Sequence, residues 1–451
     1  MNNSMDLSDH INLQLEQQPT INIGMIGHVS HGKSTLVKAL SGIKTGKYDK
    51  EIVNNMTIKL GYANAKIWFC NFCKHYFPSG SEFTTDTITC ATCDGECVLK
   101  KHISLIDCPG HEILMATMLN GAAIMDAALL VIGADTICPQ PQTMEHLCAL
   151  DIIGIDQHII AQNKIDIVTQ EQAIKNYDEI KTFIKDTNAT SAPIIPICAN
   201  KSWNIDELSK YIANLSEPSR NMLVDPLMII VRSFDINRPN DPIPNLKGCV
   251  LGGSILQGVL MLDQEIEIRP GRFLKIDNKF ICYPLRTIIQ SLCSEKTSIE
   301  MAYPGGLIGV GTNIDPSFGK GDGLVGQILG IVGTLPPVYI EIEINYFILP
   351  RAIGLDDDPD KDVKVSHTKL DKLRINEVCK LNIGSFTTEG TIKSLKADLA
   401  KITLKYPTCI INKSKIAISR KLGKNKRWRL IGIAQFQTGT AVECQYINKS
   451  I

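Results

Sequence analysis

Neither sign of charge prevails in this chain: 47 lysines and arginines stand against 47 aspartates and glutamates over 451 residues. That balance excludes a globally basic nucleic-acid binder, although a local basic patch remains open. No apolar run approaches the roughly 18 residues of a membrane span, so no membrane partner is expected. The first twenty residues are polar and lack the apolar segment of a secretory leader, and residues 1–19 read as a mobile arm. No internal repeat is evident.

Cysteine, by contrast, is plentiful, with fifteen residues. A long chain without a leader is not a small secreted disulfide scaffold. Most of these thiols are expected to be buried small hydrophobes in a reducing compartment, which points to the cytoplasm. The composition, 44% hydrophobic and 21% charged, is that of an ordinary globular protein. Its length asks for about two to four domains.

Residues 21–40, INIGMIGHVSHGKSTLVKAL, carry the most specific pattern. An apolar run, Ile21 to Ile26, has the length of one buried strand. Gly27, His28, Val29, Ser30, His31, Gly32, Lys33 and Ser34 then fit G-x-x-x-x-G-K-[ST], and Thr35 begins a run with helical spacing through Leu36, Val37 and Leu40. Strand, glycine-bounded loop and helix are the context a P-loop requires. The two glycines let successive N–H groups surround phosphates. Lys33 would neutralise the β- and γ-phosphates, and Ser34 would ligate Mg²⁺.

Further strands and helices alternate to about residue 217, as in a mostly parallel sheet wrapped by helices. Asp107-Cys-Pro-Gly110-His111 follows one strand: the acid can hold Mg²⁺ through water, and the Gly110 N–H can approach the γ-phosphate. Asn163-Lys164-Ile-Asp166 follows another. A carboxylate at Asp166 accepts from N1–H and N2–H₂ of guanine, a pair adenine cannot offer. Alone, each tetrad is weak. In order behind a P-loop, they indicate a guanine-nucleotide site using GTP and GDP.

Together these stretches resemble the translational GTPases, and the spelling Gly-His-Val-x-His-Gly-Lys is typical of the factors that carry aminoacyl-tRNA. Thr57-Ile-Lys-Leu-Gly61-Tyr62-Ala63 resembles the first switch of the gamma-subunit family of eukaryotic and archaeal initiation factor 2. Cys138-Pro-Gln-Pro-Gln-Thr143-x-Glu145-His146-Leu147 is similar to a run in the same family. The resemblance covers nearly everything from about residue 20. It implies that Thr57 coordinates Mg²⁺ beside Ser34 and Asp107, and that His111 orients the attacking water. A histidine after Pro-Gly could instead cap the following helix. Cys198-Ala199 stands where the family has Ser-Ala, and the resemblance gives it a backbone contact to the base. It further implies methionylated initiator tRNA as cargo and alpha and beta subunits completing a heterotrimer. The small ribosomal subunit, an activating factor and an exchange factor are implied as well, with hydrolysis slow without the activating partner.

Cys70-x-x-Cys73 and Cys90-x-x-Cys93 have the spacing of a zinc site in hydrophilic surroundings. Four thiolates would enclose Zn²⁺ with no open position, making the metal structural. Cys97 breaks the pairing. This zinc-ribbon insert is placed at about residues 68–98 of a P-loop GTPase domain spanning 20–217.

After Glu217 helical spacing gives way to short apolar strands separated by Gly, Pro, Asn and Asp, the texture of a β-barrel. The glycines from Phe318 to Gly326 and the Pro336-Pro337 pair mark a second boundary. The expected fold is therefore an α/β P-loop GTPase domain with a zinc-ribbon insert, followed by two all-β barrel domains at 218–336 and 337–451. Near the end, Lys424, Lys426, Arg427 and Arg429 surround Trp428 and are candidates for tRNA-backbone contact. The acidic run 355–360 lacks the register of a calcium loop. Rival readings are a selenocysteine-specific elongation factor, against which the thiol ribbon argues, and a GTP-binding scaffold with vestigial hydrolysis.

Overall fold

A computed structural model of the protein describes residues 17–45, 57–81, 87–238, 242, 244, 246–277, 279–350, 369–422 and 426–446. Lys424 and the acidic run 355–360 lie outside them. The chain divides into two units: Met1–Ser219 with Ser294–Thr297, and Arg220–Cys293 with Ser298–Ile451.

In the first unit, eight strands form one sheet: β1 (Ile21–Ile26), β2 (Gly61–Cys70), β3 (Tyr76–Gly80), β4 (Thr87–Thr89), β5 (Glu96–Asp107), β6 (Ala127–Gly133), β7 (His158–Asn163) and β8 (Ile194–Pro196). Their order is β3-β2-β5-β1-β6-β7-β8, with β4 added on β5. From β5 to β8 the neighbours run parallel, whereas β2 and β3 are antiparallel. Every residue of β1, β6 and β7 is buried, as a parallel sheet covered on both faces requires. Among the described residues of this unit, five α-helices follow in chain order: α1 (Lys33–Ser41), α2 (Met115–Ala122), α3 (Pro141–Ile153), α4 (Gln170–Ile184) and α5 (Ile205–Ala213). Their ends are encoded locally. Thr169 and Gln172 form a capping box ahead of α4, Pro141 opens α3, and Gly42 and Gly154 close α1 and α3 in the left-handed conformation.

One expectation is corrected here. Gln18, Pro19 and Thr20 are buried, and Thr20 donates to the His102 carbonyl (3.0 Å) and to Glu217 (2.6 Å), so the arm ends earlier than residue 19. The cysteine-bearing insert is continuous with the main sheet: β2 and β5 pair from Gly61↔Asp107 to Cys70↔Cys97, with one register shift between Ile67 and Trp68.

The second unit holds two closed six-stranded barrels. The first uses β9 (Leu227–Phe234), β10 (Val250–Gln257), β12 (Glu265–Ile276), β13 (Lys279–Ser294), β16 (Ile308–Thr312) and β17 (Ile328–Ile331), closed by pairing of β12 with β13. Short strands β11 (Leu260–Met261), β14 (Thr297–Ile299) and β15 (Met301–Ala302) decorate it. The glycine-rich stretch expected to mark a boundary belongs inside this barrel: Pro316–Asp322 holds two short 3-10 turns, kinked at Lys320 and Gly321, ahead of β17. The second barrel is β18 (Val338–Ile348), β21 (Leu399–Cys409), β20 (Phe386–Lys396), β19 (Val378–Ile383), β22 (Lys415–Leu422) and β23 (Arg427–Ala441) in spatial order. Each barrel has its own aliphatic core.

Candidate functional site

The loop after β1 is shaped by residues that leave it few alternatives. Gly27 has φ +135°, and a Cβ there would lie 2.2 Å from the Val131 carbonyl oxygen on β6. Gly32 has φ +95° and a side chain there would meet Asn163 Nδ2 at 2.3 Å. Only glycine satisfies both demands. Lys33, the first residue of α1, is 6% exposed, and its ammonium donates to the carbonyls of Gly27 (2.9 Å) and His28 (2.7 Å). Burial pushes this lysine down to about 8, against the opposing pull of Asp107. The loop is thus wound round its own cation.

Gly110 stands directly over that cation: a Cβ would be 2.5 Å from Lys33 Nζ and 2.9 Å from the Val29 nitrogen. Ser34 and Thr57 bring their hydroxyls to 3.1 Å of each other. Asp107 is fully buried at the end of β5 and accepts from Thr45 Oγ1 at 2.6 Å. Thr45 lies in no recognisable pattern, so nothing in the sequence singled it out. Nδ1 of His111 accepts from the Ile113 N–H at 3.3 Å and so caps the 3-10 turn Glu112–Leu114. In this conformation His111 serves the cap, the alternative that the sequence left open.

Three further histidines surround the loop. His31 Nδ1 lies 3.3 Å from the Val131 carbonyl, and its Nε2 is 3.2 Å from Thr136 Oγ1. His146 on α3 accepts the Gly27 N–H at 3.2 Å. Burial first, and then neighbouring cationic or imidazole groups, push His28 down to about 4 and both His31 and His146 to about 3. All three are therefore neutral. In the sequence, His146 stands out only as part of the run Cys138 to Leu147.

At the end of β7, Asn163 links two loops. Its Nδ2 donates to the His31 carbonyl at 2.9 Å and its Oδ1 accepts from the Ala199 N–H at 3.0 Å, joining the phosphate loop to the loop after β8. The Cys198 N–H goes to the Trp203 carbonyl within that second loop. Asp166 lies in the short 3-10 turn Ile165–Ile167 that follows. Its side chain is 12% exposed, with Lys201 Nζ at 3.1 Å. The Cys198 thiol and Lys201 hold its carboxyl below the usual range, so it is a charged acceptor. Lys164, in the left-handed conformation, reaches Asp135 at 2.8 Å.

The four thiols converge as their spacing predicted. The sulfurs of Cys70, Cys73, Cys90 and Cys93 all lie within 4.8 Å of one another, with Cys70 and Cys93 3.4 Å apart and Cys73 and Cys90 3.7 Å apart. A Zn–S bond of about 2.3 Å gives a tetrahedron edge of about 3.8 Å, so the set fits zinc. Both halves are built alike. In each a non-glycine residue, Lys74 or Asp94, adopts positive φ and donates to the first cysteine's carbonyl. Backbone N–H groups, chiefly that of Cys73, draw the Cys70 thiol down to about 6. Cys97 lies fully buried behind the cluster, pushed up to about 12 by burial, and is not a ligand.

Of the basic candidates at the start of β23, Lys426 just before it and Arg427 on it are exposed, but Arg429 is only 7% exposed. That burial withdraws Arg429 as a phosphate contact. Trp428 between them carries Lys380 and Lys421 over its ring at 4.9 and 5.0 Å.

Residues 18–218 match the family described as "Elongation factor Tu GTP binding domain", and residues 340–436 that described as "Initiation factor eIF2 gamma, C terminal". Eukaryotic translation initiation factor 2 subunit 3 of Drosophila melanogaster is 49% identical over 436 residues, which is 95% of this chain and 90% of that relative. Eukaryotic translation initiation factor 2 subunit gamma of Schizosaccharomyces pombe is 48% identical over 438 residues, 95% of this chain and 96% of its own length. Among solved structures, the bacterial selenocysteine-specific elongation factor EF-Sec superposes with a TM-score of 0.67 at 19% identity. That likeness covers 92% of this chain, which spans 58% of the EF-Sec chain. Elongation factor SelB of Methanococcus maripaludis, in complex with the GTP analogue GppNHp, gives 0.66 at 21% identity over 94% of this chain and 80% of its own. Both are likenesses of fold.

Proposed function

Because the chain belongs to the gamma-subunit family of translation initiation factor 2, a branch of the translational GTPases, we propose that it is the GTP-switched carrier of methionylated initiator tRNA to the small ribosomal subunit. It is a GTPase that uses GTP, GDP and Mg²⁺. The observation that carries the reading is 49% identity sustained over 95% of the chain, through the nucleotide domain and both barrels.

The roles follow from the residues. Loop N–H groups from His28 to Thr35 and that of Gly110 would receive the phosphates, and Lys33 would exchange its two carbonyl partners for phosphate oxygens. Mg²⁺ neutralises developing phosphate charge, and Ser34, Thr57 and Asp107 are the residues to hold it. Asp166 reads guanine, with Lys164 beside it, while Asn163, Cys198 and Ala199 keep the base loop and phosphate loop in step. His111 would leave its cap to orient water, which makes hydrolysis slow until a partner favours that rearrangement. Zn²⁺ is proposed as structural at the four thiols. Alpha and beta subunits, an activating factor and an exchange factor are proposed partners, and the cytoplasm the place of work. Lys426 and Arg427 are proposed as RNA-backbone contacts.

The selenocysteine-factor alternative is supported by fold alone, at 19% and 21% identity. A binding comparison tests the assignment: methionylated initiator and methionylated elongator tRNA, each with a GTP analogue and with GDP. Preference for the initiator in the GTP form is expected. Absence of either preference would sink it.

A further inference from the structure

Gly27 opens the phosphate loop with both backbone polar groups already taken by side chains. Its carbonyl accepts from Lys33, at the start of α1, and its N–H donates to His146, on α3 and 119 residues away in sequence. We propose that His146 is a positioning residue for guanine-nucleotide binding, holding the Gly27 peptide from behind so that the N–H groups after it face the phosphates. The inference deepens the GTPase reading and rests on it.

Geometry leaves the Gly27 peptide little other support. β6 blocks it on one side, where Val131 O lies 2.2 Å from the position a Cβ would take. Lys33 holds its oxygen from the front, and in binding phosphate that ammonium must turn away. His146 then remains as the side-chain hold on Gly27 that does not depend on the ligand. For Nδ1 to accept, the ring proton must sit on Nε2. His146 is 1% exposed, and the groups facing it, Lys33 and His28, both disfavour a second cation, so it stays neutral with that lone pair free. Without the acceptor a buried N–H has no partner, and the peptide gains by turning to find one. Such a turn would change the direction of the loop's first amide.

The test uses the full-length chain and times release of a fluorescent GDP analogue by stopped flow, with magnesium present. His146→Asn places an amide oxygen near the position of Nδ1, His146→Gln places its end nearer that of Nε2, and His146→Leu offers no acceptor. Release from the Asn variant is expected within about threefold of wild type, and from the Gln and Leu variants faster by about tenfold or more. Equal release from wild type and the Leu variant overturns the proposal, as does equal acceleration in Asn and Leu. The wild-type chain with ¹⁵N-labelled histidine and glycine gives a second answer that needs no variant to fold. An Nε2–H tautomer with scalar coupling between Gly27 N and Nδ1 is expected, and an Nδ1–H tautomer overturns the role. If the wild type binds no guanine nucleotide at all, the GTPase reading itself fails. Normal binding with indifferent variants removes only His146.

Discussion

Asn163 and His31 are 132 residues apart, yet the amide of one donates to the carbonyl of the other at 2.9 Å. Because Asn163 Oδ1 also accepts from Ala199, one side chain spans the phosphate loop, β7 and the loop after β8. The phosphate loop and the loop after β8 are thereby tied together by a single amide. On the proposed reading, that tie would keep base and phosphate sites in step and Asp166 would carry discrimination.

Asp166→Asn should convert base preference. The carboxylate accepts two N–H bonds from guanine, and losing a charged acceptor for such bonds costs about 1.5–3 kcal/mol each. A carboxamide can instead donate to the C2 carbonyl of xanthine. GTP affinity is expected to fall by a hundredfold or more while XTP affinity rises. Competition of both nucleotides against a fluorescent analogue measures this, and unchanged GTP binding would remove Asp166 from recognition.

Nucleotide binding should take up a proton near pH 9. Burial holds Lys33 at about 8 in the empty loop, whereas phosphate oxygens favour its charged form. An unfolded lysine titrates at about 10.4, so between these values the unfolded chain holds more protons. Stability of the empty chain therefore rises with pH across that window, and the cost of burying the ammonium is fully present below it. Affinity runs the other way and falls as pH climbs above about 8. Calorimetry in two buffers of different ionisation enthalpy would report the uptake, and equal heats in both would contradict it.

Metal content should separate the five neighbouring thiols. Cys73→Ser removes one of four converging sulfurs and is expected to lower bound zinc from about one ion per chain to a small fraction of that. Cys97→Ser alters a buried thiol behind the cluster and should leave the zinc in place. Elemental analysis of the purified variants decides, and the reverse pattern would reassign the ligands.

Much of the nucleotide domain was legible because its signals are local. A mostly apolar run such as Ile21–Ile26 asks for both faces to be covered, and the thiol pairs needed nothing but their spacing. The barrels were harder. β13 and β23 run for 16 and 15 residues, and β13 pairs with register shifts that blur a two-residue period. Arg429 is buried only two residues from the exposed Arg427, a difference that neither a run of charge nor a two-residue period reveals. Asn163 and Thr45 act through partners far away in sequence, and no window of neighbours contains that information.

The continuity of β2 and β5 has a consequence at both of their ends. One pair of ends carries Cys70 and Cys97, beside the metal ligands; the other carries Gly61, four residues after Thr57, and Asp107. Strand pairing permits slippage only in whole residues, each about 3.4 Å, and every step exchanges the faces. A tetrahedral ion held by the four thiols at the far end would oppose such a step. The thiols would then serve as a registration pin, helping to keep Gly61 and Asp107 level with one another at the other end of the strands.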